Sequence, residues 1–179
     1  ETIGDSDELI ENMLRIYALG IEKGELKEIF QRGEANEKIY KKIFNMLSIE
    51  TERIERHRSQ VSSANEHFPI DGIERLVLLI SRLVFWREHS FKPEDLYLYY
   101  RTLNKLIGRV IEQLTSIGNS SLSEMFDDKS ALEKLLTLYQ ALHVNTEIKM
   151  EGILKKNSTL LNRLNRDAAE ISLLAVQTQ

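Results

Sequence analysis

Apolar residues recur every three or four positions along almost the whole chain, and the alternation typical of β-strands is nearly absent. The first such segment opens with the acidic stretch 5–8, which suits a helix N-terminus, and runs to about Gly33. The clearest stripe follows Pro93, where apolar positions alternate by four and three: Leu96, Tyr100, Leu103, Ile107, Val110 and Leu114. The pattern predicts long amphipathic helices.

Capping and stop residues divide this pattern into elements. Asn36 precedes a second helix, Pro93 stands where a first helical residue is expected, and Gly118 is suited to a C-terminal stop. The predicted helices span about 5–33, 37–61, 73–89 and 93–117, followed by a short helix after 121, a long one from 130 and an amphipathic tail at 160–176. Residues 157–159 are compatible with a break, a bend or a continuous helix, so the pattern leaves open whether 129–176 form one helix or two. Short connections between long helices predict an all-α, up-and-down antiparallel bundle that forms a single domain over residues 1–179.

Composition narrows the function classes. The formal net charge of −4 argues against a dedicated nucleic-acid-binding protein, which needs a basic face. There are no cysteines, so disulfides, thiolate metal sites and cysteine nucleophiles do not arise. No apolar run reaches the roughly 18–20 residues of a membrane-spanning helix, and the sequence opens at Glu1 without a signal-peptide pattern. We therefore expect a soluble piece of a larger protein.

Catalytic and metal-binding patterns are not found. The four histidines form no His-x3-His pair and no Glu-x-x-His ligand motif, and His143 is best interpreted as a core or pocket residue. No nucleophile elbow or phosphate-binding glycine loop occurs. The many carboxylates are interpreted as helix caps and solvated faces. We expect no enzyme activity, no metal and no cofactor.

Basic residues close to apolar stripes are the most informative feature. Lys23 continues the line of Ile16 and Leu26, and Arg87 continues that of Leu83, so both are expected to point toward the bundle. The ordinary interpretation is that they extend to solvent or pair with a neighbouring acid. The functional alternative is an anion pocket between helices, which Arg82, Arg101, Arg109 and Lys149 would join.

Two further features each have two interpretations. Tyr97, Tyr99 and Tyr100 cover more than one face of their helix, where core packing competes with a pocket wall or a subunit interface. Gly20 and Gly24 lie four residues apart inside the first helix and indicate close packing or local distortion there.

The order of these segments resembles the NIT family, the helical nitrate- and nitrite-sensing domains of bacterial receptors and regulators. The likeness rests on short stretches between residues 9 and 155: Glu22-Lys23-Gly24, Phe30-Gln31-Arg32, Leu79 to Arg82, Tyr99 to Asn104, and Asn145 to Leu154. The chain departs from the family at two positions, because Lys23 stands in place of the signature arginine and Glu151 is followed by Gly152. Arginine has a planar fork that suits the oxygens of nitrate, whereas lysine is a point charge. The resemblance thus implies a sensory bundle with a different ligand or none.

This resemblance leads to our first functional hypothesis. It implies an extracytoplasmic sensing domain of a bacterial transmembrane receptor, a chemoreceptor or sensor kinase, in the periplasmic part of an inner-membrane protein. We expect it to bind a small, anionic ligand through Lys23, Arg82, Arg87 and Arg101, and to form a homodimer through its first helix. The alternative is a cytoplasmic helical module that binds a protein partner and no small molecule.

Overall fold

The computed structural model describes residues 3–61, 92–119 and 130–166, and all regular structure in these three ranges is helical. The helices are α1 (Ile3–Gln31), α2 (Glu37–Val61), α3 (Pro93–Gly118) and α4 (Ser130–Lys156). A further helical segment, α5, spans residues 158–166. The predicted all-α bundle is confirmed. The helix expected at 73–89, the short helix expected after 121 and the end of the tail lie outside the described residues.

The turn between α1 and α2 follows directly from its sequence. Gly33 adopts a positive φ of 72°, which a residue without Cβ adopts at little cost. Its N–H donates to the Phe30 carbonyl, and the Glu34 N–H donates to the Ile29 carbonyl, which closes the end of α1. Asn36 then caps α2, because its side-chain oxygen accepts the N–H of Ile39 at 2.9 Å. The predicted boundaries on either side of this turn are confirmed to within about two residues.

Asn157 settles the question that the sequence left open within the described range. The α4 helix ends at Lys156, and helical residues resume at 158. The Asn157 side chain donates to the carbonyl of Ile153 at 2.8 Å, while its own carbonyl accepts the N–H of Leu161 at 3.1 Å. A single residue therefore interrupts the helix, and its amide satisfies one of the carbonyls that the interruption leaves over.

Cross-helix contacts fix the directions of the helices. Asp95, at the start of α3, lies beside Asn36 and Lys38 at the start of α2, so α2 and α3 run in the same direction. The α4 helix runs opposite to α3, since Asn104 bonds Thr146 and Gly118 lies against Leu132. Because α1 is antiparallel to α2, it runs in the same direction as α4. These directions of the described helices are those of an up-and-down bundle.

The core is formed by the apolar stripes on facing helices. Each stripe follows the helical repeat that the sequence shows, so the buried residues of one helix lie on one side of it. The completely or almost completely buried residues of the core include Leu19, Leu26, Ile29, Ile39, Ile43, Leu106, Val110, Leu114 and Leu135. Tyr99 and Tyr100 belong to this core, with their rings 5.5 Å apart and edge to face, so the core-packing interpretation of these two tyrosines is confirmed.

The local distortion predicted at the two glycines of α1 is not found, and neither glycine packs closely against another helix of this chain. The helix continues through Gly20 and Gly24 without a break. A Cβ added at either position would meet nothing within 4 Å, so neither glycine is needed for a close approach between helices of this chain. Both residues are exposed.

Candidate functional site

A buried ion pair joins α1 to α2. The Nη2 of Arg15 donates to Oε1 of Glu50 at 3.0 Å, and the two side chains are only 6% and 1% exposed. The other oxygen of Glu50 accepts a bond from Arg53, one turn later on α2, at 3.3 Å. Arg53 is about half exposed, so it binds Glu50 from the solvent side. Charges are costly to bury, and this pair is kept in the core by close hydrogen-bonded contact.

Glu22 is a second buried acid, two turns after Arg15 on the same side of α1. It is 7% exposed, and in the part of the chain that the structure describes it forms no ion pair. Burial raises the pKa of Glu22 to about 8, although a hydrogen bond from the Tyr139 hydroxyl opposes that rise. At neutral pH the carboxyl group is therefore mostly protonated.

Tyr139 contributes the α4 side of this site. It is 1% exposed, and burial together with the acids Glu22 and Glu50 raises its pKa well above the usual value. Arg15 opposes that shift, which shows that all four groups lie close enough to interact. We call Arg15, Glu22, Glu50 and Tyr139 the buried cluster. It connects α1, α2 and α4 at one level of the bundle.

Lys23 lies beside the buried cluster, at the edge of the α1–α2 interface. It is half-buried, and its Nζ donates to the Thr51 hydroxyl at 2.8 Å. That hydroxyl in turn donates to the carbonyl of Leu47, also at 2.8 Å. No carboxylate within salt-bridge distance of Lys23 is found among the described side chains. Arg15 and Lys23 thus reach α2 at adjacent residues, Glu50 and Thr51.

A network of surface charges connects the far end of α1 to α3. Arg32 binds Glu25 at 3.2 Å and Glu34 at 2.6 Å. Glu34 also accepts a bond from Lys105 of α3, and these two cations lower the pKa of Glu34 to about 2. Arg109 lies 3.9 Å from Glu25 and also binds Glu112. Each base in this network has an acid beside it, so the network stabilises the α1–α3 contact and offers no evident anion site.

Of the four basic residues predicted to form a pocket, Lys23 and Arg101 lie in the described part of the chain. Lys23 faces a helix interface, as its position on the stripe predicts. Arg101 is exposed on α3, and no contact in the described residues connects it to Lys23. Arg82 and Arg87 lie outside the described residues. Their place in a shared pocket stays a prediction.

Two other predicted candidates are occupied by local contacts. Arg109 belongs to the surface network described above. His143 is partly buried at the α3–α4 interface, where its Nε2 lies 3.5 Å from the position that a Cβ on Gly108 would take. Its Nδ1 is 3.7 Å from Glu147, a contact that becomes an ion pair only when the imidazole is protonated.

The interpretation of the carboxylates as caps and solvated faces is wrong for Glu22 and Glu50. Both are core residues, and neither was singled out as a candidate; Arg15 was missed as well. A signal was present for Glu50, which follows Ile43 and Leu47 and precedes Ile54 at spacings of four, three and four. Because acidic residues are mostly exposed in proteins, Glu50 was predicted to be exposed despite its position on the stripe.

Among the described residues, no three histidines, cysteines or acids come together in a way that would hold a metal ion. None of the helices in these ranges combines the length and the apolar character needed to cross a bilayer.

No protein-family model, curated protein or solved structure matches this chain. The interpretation of its function therefore depends on the geometry of the buried cluster and of Lys23.

Proposed function

We propose that this chain is the extracytoplasmic sensing domain of a bacterial transmembrane receptor, a chemoreceptor or sensor kinase, and that it binds a small anion between α1 and α2. In this proposal the domain belongs to the periplasmic part of an inner-membrane protein. Ligand binding favours one of two helix arrangements, and the change in helix position is the signal.

The observation that carries the proposal is the environment of Lys23. Its ammonium group is half-buried at a helix interface, yet its hydrogen-bond partner is the neutral hydroxyl of Thr51. A cation in such a place is normally matched by a carboxylate. A small anion can replace the weak acceptor with a charge-assisted bond, which is roughly twice as strong as a neutral one. The adjacent Glu22 does not compete for Lys23 at neutral pH, because its raised pKa keeps it mostly neutral.

The buried cluster supports a sensing role independently of the ligand. Replacing a buried ion pair by apolar side chains often leaves stability unchanged or raises it, so such pairs are not an efficient way to stabilise a bundle. Ionisable groups with strongly shifted pKa values are concentrated at functional sites. The cluster lies within two helical turns of Lys23 and contacts three of the helices that a signal would have to move.

The directions of the helices set one condition on the receptor. Since α1 and α4 run in the same direction, residues 3 and 156 lie toward opposite ends of the bundle. In the proposed receptor, residues 3 and 156 therefore do not both adjoin one membrane surface. This condition is specific enough to be checked in the full-length protein.

The exposed face of α1 is the proposed dimer contact. Met13 is 55% exposed and Tyr17 43%, and Gly20 and Gly24 continue the same side of the helix with no side chain. A second copy of α1 can approach such a face more closely than one that is covered by side chains. Cross-linking through Met13→Cys tests this contact, because α1–α1 packing predicts rapid disulfide formation between two chains and a monomer predicts none.

The ligand proposal is tested by thermal unfolding in a panel of anions, including nitrate, nitrite, sulfate, phosphate and small carboxylates. An anion present at a hundred times its Kd should raise Tm by about 5–10 °C for a chain of this size. Lys23→Ala should remove that rise, and Lys27→Ala, an exposed lysine one turn later, should leave it intact. Absence of a shift with every anion, or a shift that survives Lys23→Ala, contradicts the proposal.

The alternative function, a helical interaction module, is favoured by one surface of α4. Val144 and Ile148 are 53% and 63% exposed on neighbouring turns, and a partner helix would cover such a pair. This module would respond to Val144→Glu and Ile148→Glu with loss of a protein partner, and it would show no Tm shift in the anion panel.

A further inference from the structure

The buried cluster contains two acids, Glu22 and Glu50, and its ion pair with Arg15 involves Glu50. Arg15 and Glu50 form the ion pair, and Arg53 adds a second bond to Glu50 from the surface. Glu22 remains with the Tyr139 hydroxyl as its hydrogen-bond partner. An ionised Glu22 would therefore place a second negative charge near Glu50, in a region from which water is excluded.

Among the described residues, the cations on the helices packed around Glu22 are bound to other groups, so they do not offset this charge. On α1, Arg15 is already bound to Glu50, and Lys23 turns toward Thr51. On α2 the facing groups are Glu50 and, at the surface, Arg53. On α4 the facing group is Tyr139, while His143, one turn later, lies over Gly108 on the α3 side. On α3, Lys105 and Arg109 bind acids at the surface.

We propose that Glu22 is a proton-operated switch, in which the packed arrangement of α1, α2 and α4 holds the protonated acid and loss of the proton drives α1 away from α4. The proposal rests on the sensing function above and assigns to it a regulating ligand, the proton. No covalent step is involved: one proton leaves the Glu22 carboxyl group for solvent, and the carboxylate left behind gains hydration when the helices separate.

The structure predicts the pH range of this switch. In an opened state Glu22 regains water and an ordinary pKa near 4.5, whereas in the packed state its pKa is about 8. Between these values the opened state binds fewer protons, so each added pH unit favours opening by about tenfold. Above about pH 8 both states are ionised and the effect levels off.

Hydrogen exchange of the whole 179-residue chain tests this inference between pH 5 and pH 9. Exchange rates of amides in α1 and α4 are divided by the intrinsic rate at each pH, which leaves the opening constant. We expect this constant to rise about tenfold per pH unit and to level off near pH 8. Glu22→Gln should make it independent of pH over this range, and Glu28→Gln, an exposed acid on the same helix, should keep the wild-type profile.

A second variant tests the role of the tyrosine. Tyr139→Phe removes a hydrogen bond that lowers the pKa of Glu22, so the levelling-off should move to higher pH. A flat wild-type profile, a Glu22→Gln profile with the wild-type slope, or a Tyr139→Phe profile that levels off at lower pH overturns the proposal. The anion panel is run at one pH and depends on Lys23, so either proposal can fail while the other stands.

Discussion

Removing Arg15 is the strongest test of the view that the buried cluster is organised around one ion pair. Arg15→Met keeps the length and apolar stem of the side chain while it removes the charge. Glu50, which is 1% exposed, then loses its buried cationic partner, while the bond from Arg53 reaches it from the surface. Leaving one member of a buried pair without its partner typically costs about 3–5 kcal/mol. For a chain of this length that corresponds to a loss of about 6–20 °C in Tm.

Removing Glu50 instead should lower the stability less, because Glu22 can replace it as the acid that pairs with Arg15. In Glu50→Leu the guanidinium of Arg15 remains, and Glu22 lies close enough to interact with the same tyrosine as Arg15. Ionisation of Glu22 then becomes favourable, and its pKa should fall below the value of about 8 that it has in the wild type. The double variant Arg15→Met/Glu50→Leu removes both charges, and its stability should equal that of the wild type or exceed it by about 1–4 kcal/mol.

Urea unfolding followed by circular dichroism at pH 7 measures these differences, provided that the m-value stays the same among variants. The exposed pair Arg56 and Glu52, 75% and 62% exposed on α2, serves as the control, and its removal should change stability by less than about 1 kcal/mol. Our reasoning is refuted if Arg15→Met costs no more than this control, or if the double variant costs the sum of the two single changes.

Four further predictions follow from individual residues. Relative to Glu22→Gln, the wild type should lose up to about 1.4 kcal/mol of unfolding free energy per pH unit from about pH 4.5 to pH 8. The reason is that an acid with a raised pKa stabilises the folded state only while it is protonated. Urea titrations of both proteins across this pH range check this, and equal pH profiles contradict it. Glu34 has the opposite sign: its pKa of about 2 means that its contribution is lost as the pH falls from about 4.5 to 2, so Glu34→Gln should flatten the acid limb of the same titration. Gly24→Ala should raise stability by about 0.5–1 kcal/mol, since the new methyl group meets open space, and a decrease in thermal stability would show that this face is covered. Asn36→Ala should lower stability by about 1 kcal/mol through loss of the α2 cap, and Asn36→Ser should restore most of it.

Helix ends were predictable because each depends on a few adjacent residues. Gly33 and Asn36 define the α1–α2 turn by local bonds, and Pro93 opens α3 without help from other helices. The apolar stripes were predictable for the same reason, since helical periodicity alone selects the face that packs. Asn157 was harder, because its amide can cap a break or simply point to solvent within a continuous helix.

The buried cluster was only partly predictable. The stripe positions of Lys23 and Glu50 are visible in the sequence. Adjacent residues of a helix are only 100° apart around its axis, however, and it is Glu22 rather than Lys23 that is buried in the core. The partner choice of Arg15 depends on how far α2 slides along α1, and no local pattern encodes that distance. The same limit applies to Tyr139, whose bond to Glu22 joins residues more than a hundred positions apart.

The buried cluster also determines which motions the bundle tolerates. The Arg15–Glu50 and Glu22–Tyr139 contacts join α1 to two different helices at one level. They therefore fix the position of α1 along its own axis. A slide of α1 by one helical turn, about 5.4 Å, would break both contacts at once and place charged groups against apolar neighbours. Tilting of α1 about this level displaces these two contacts less than it displaces the helix ends. A tilt of α1 about the buried cluster would therefore produce displacements that grow with distance from the cluster toward the helix ends.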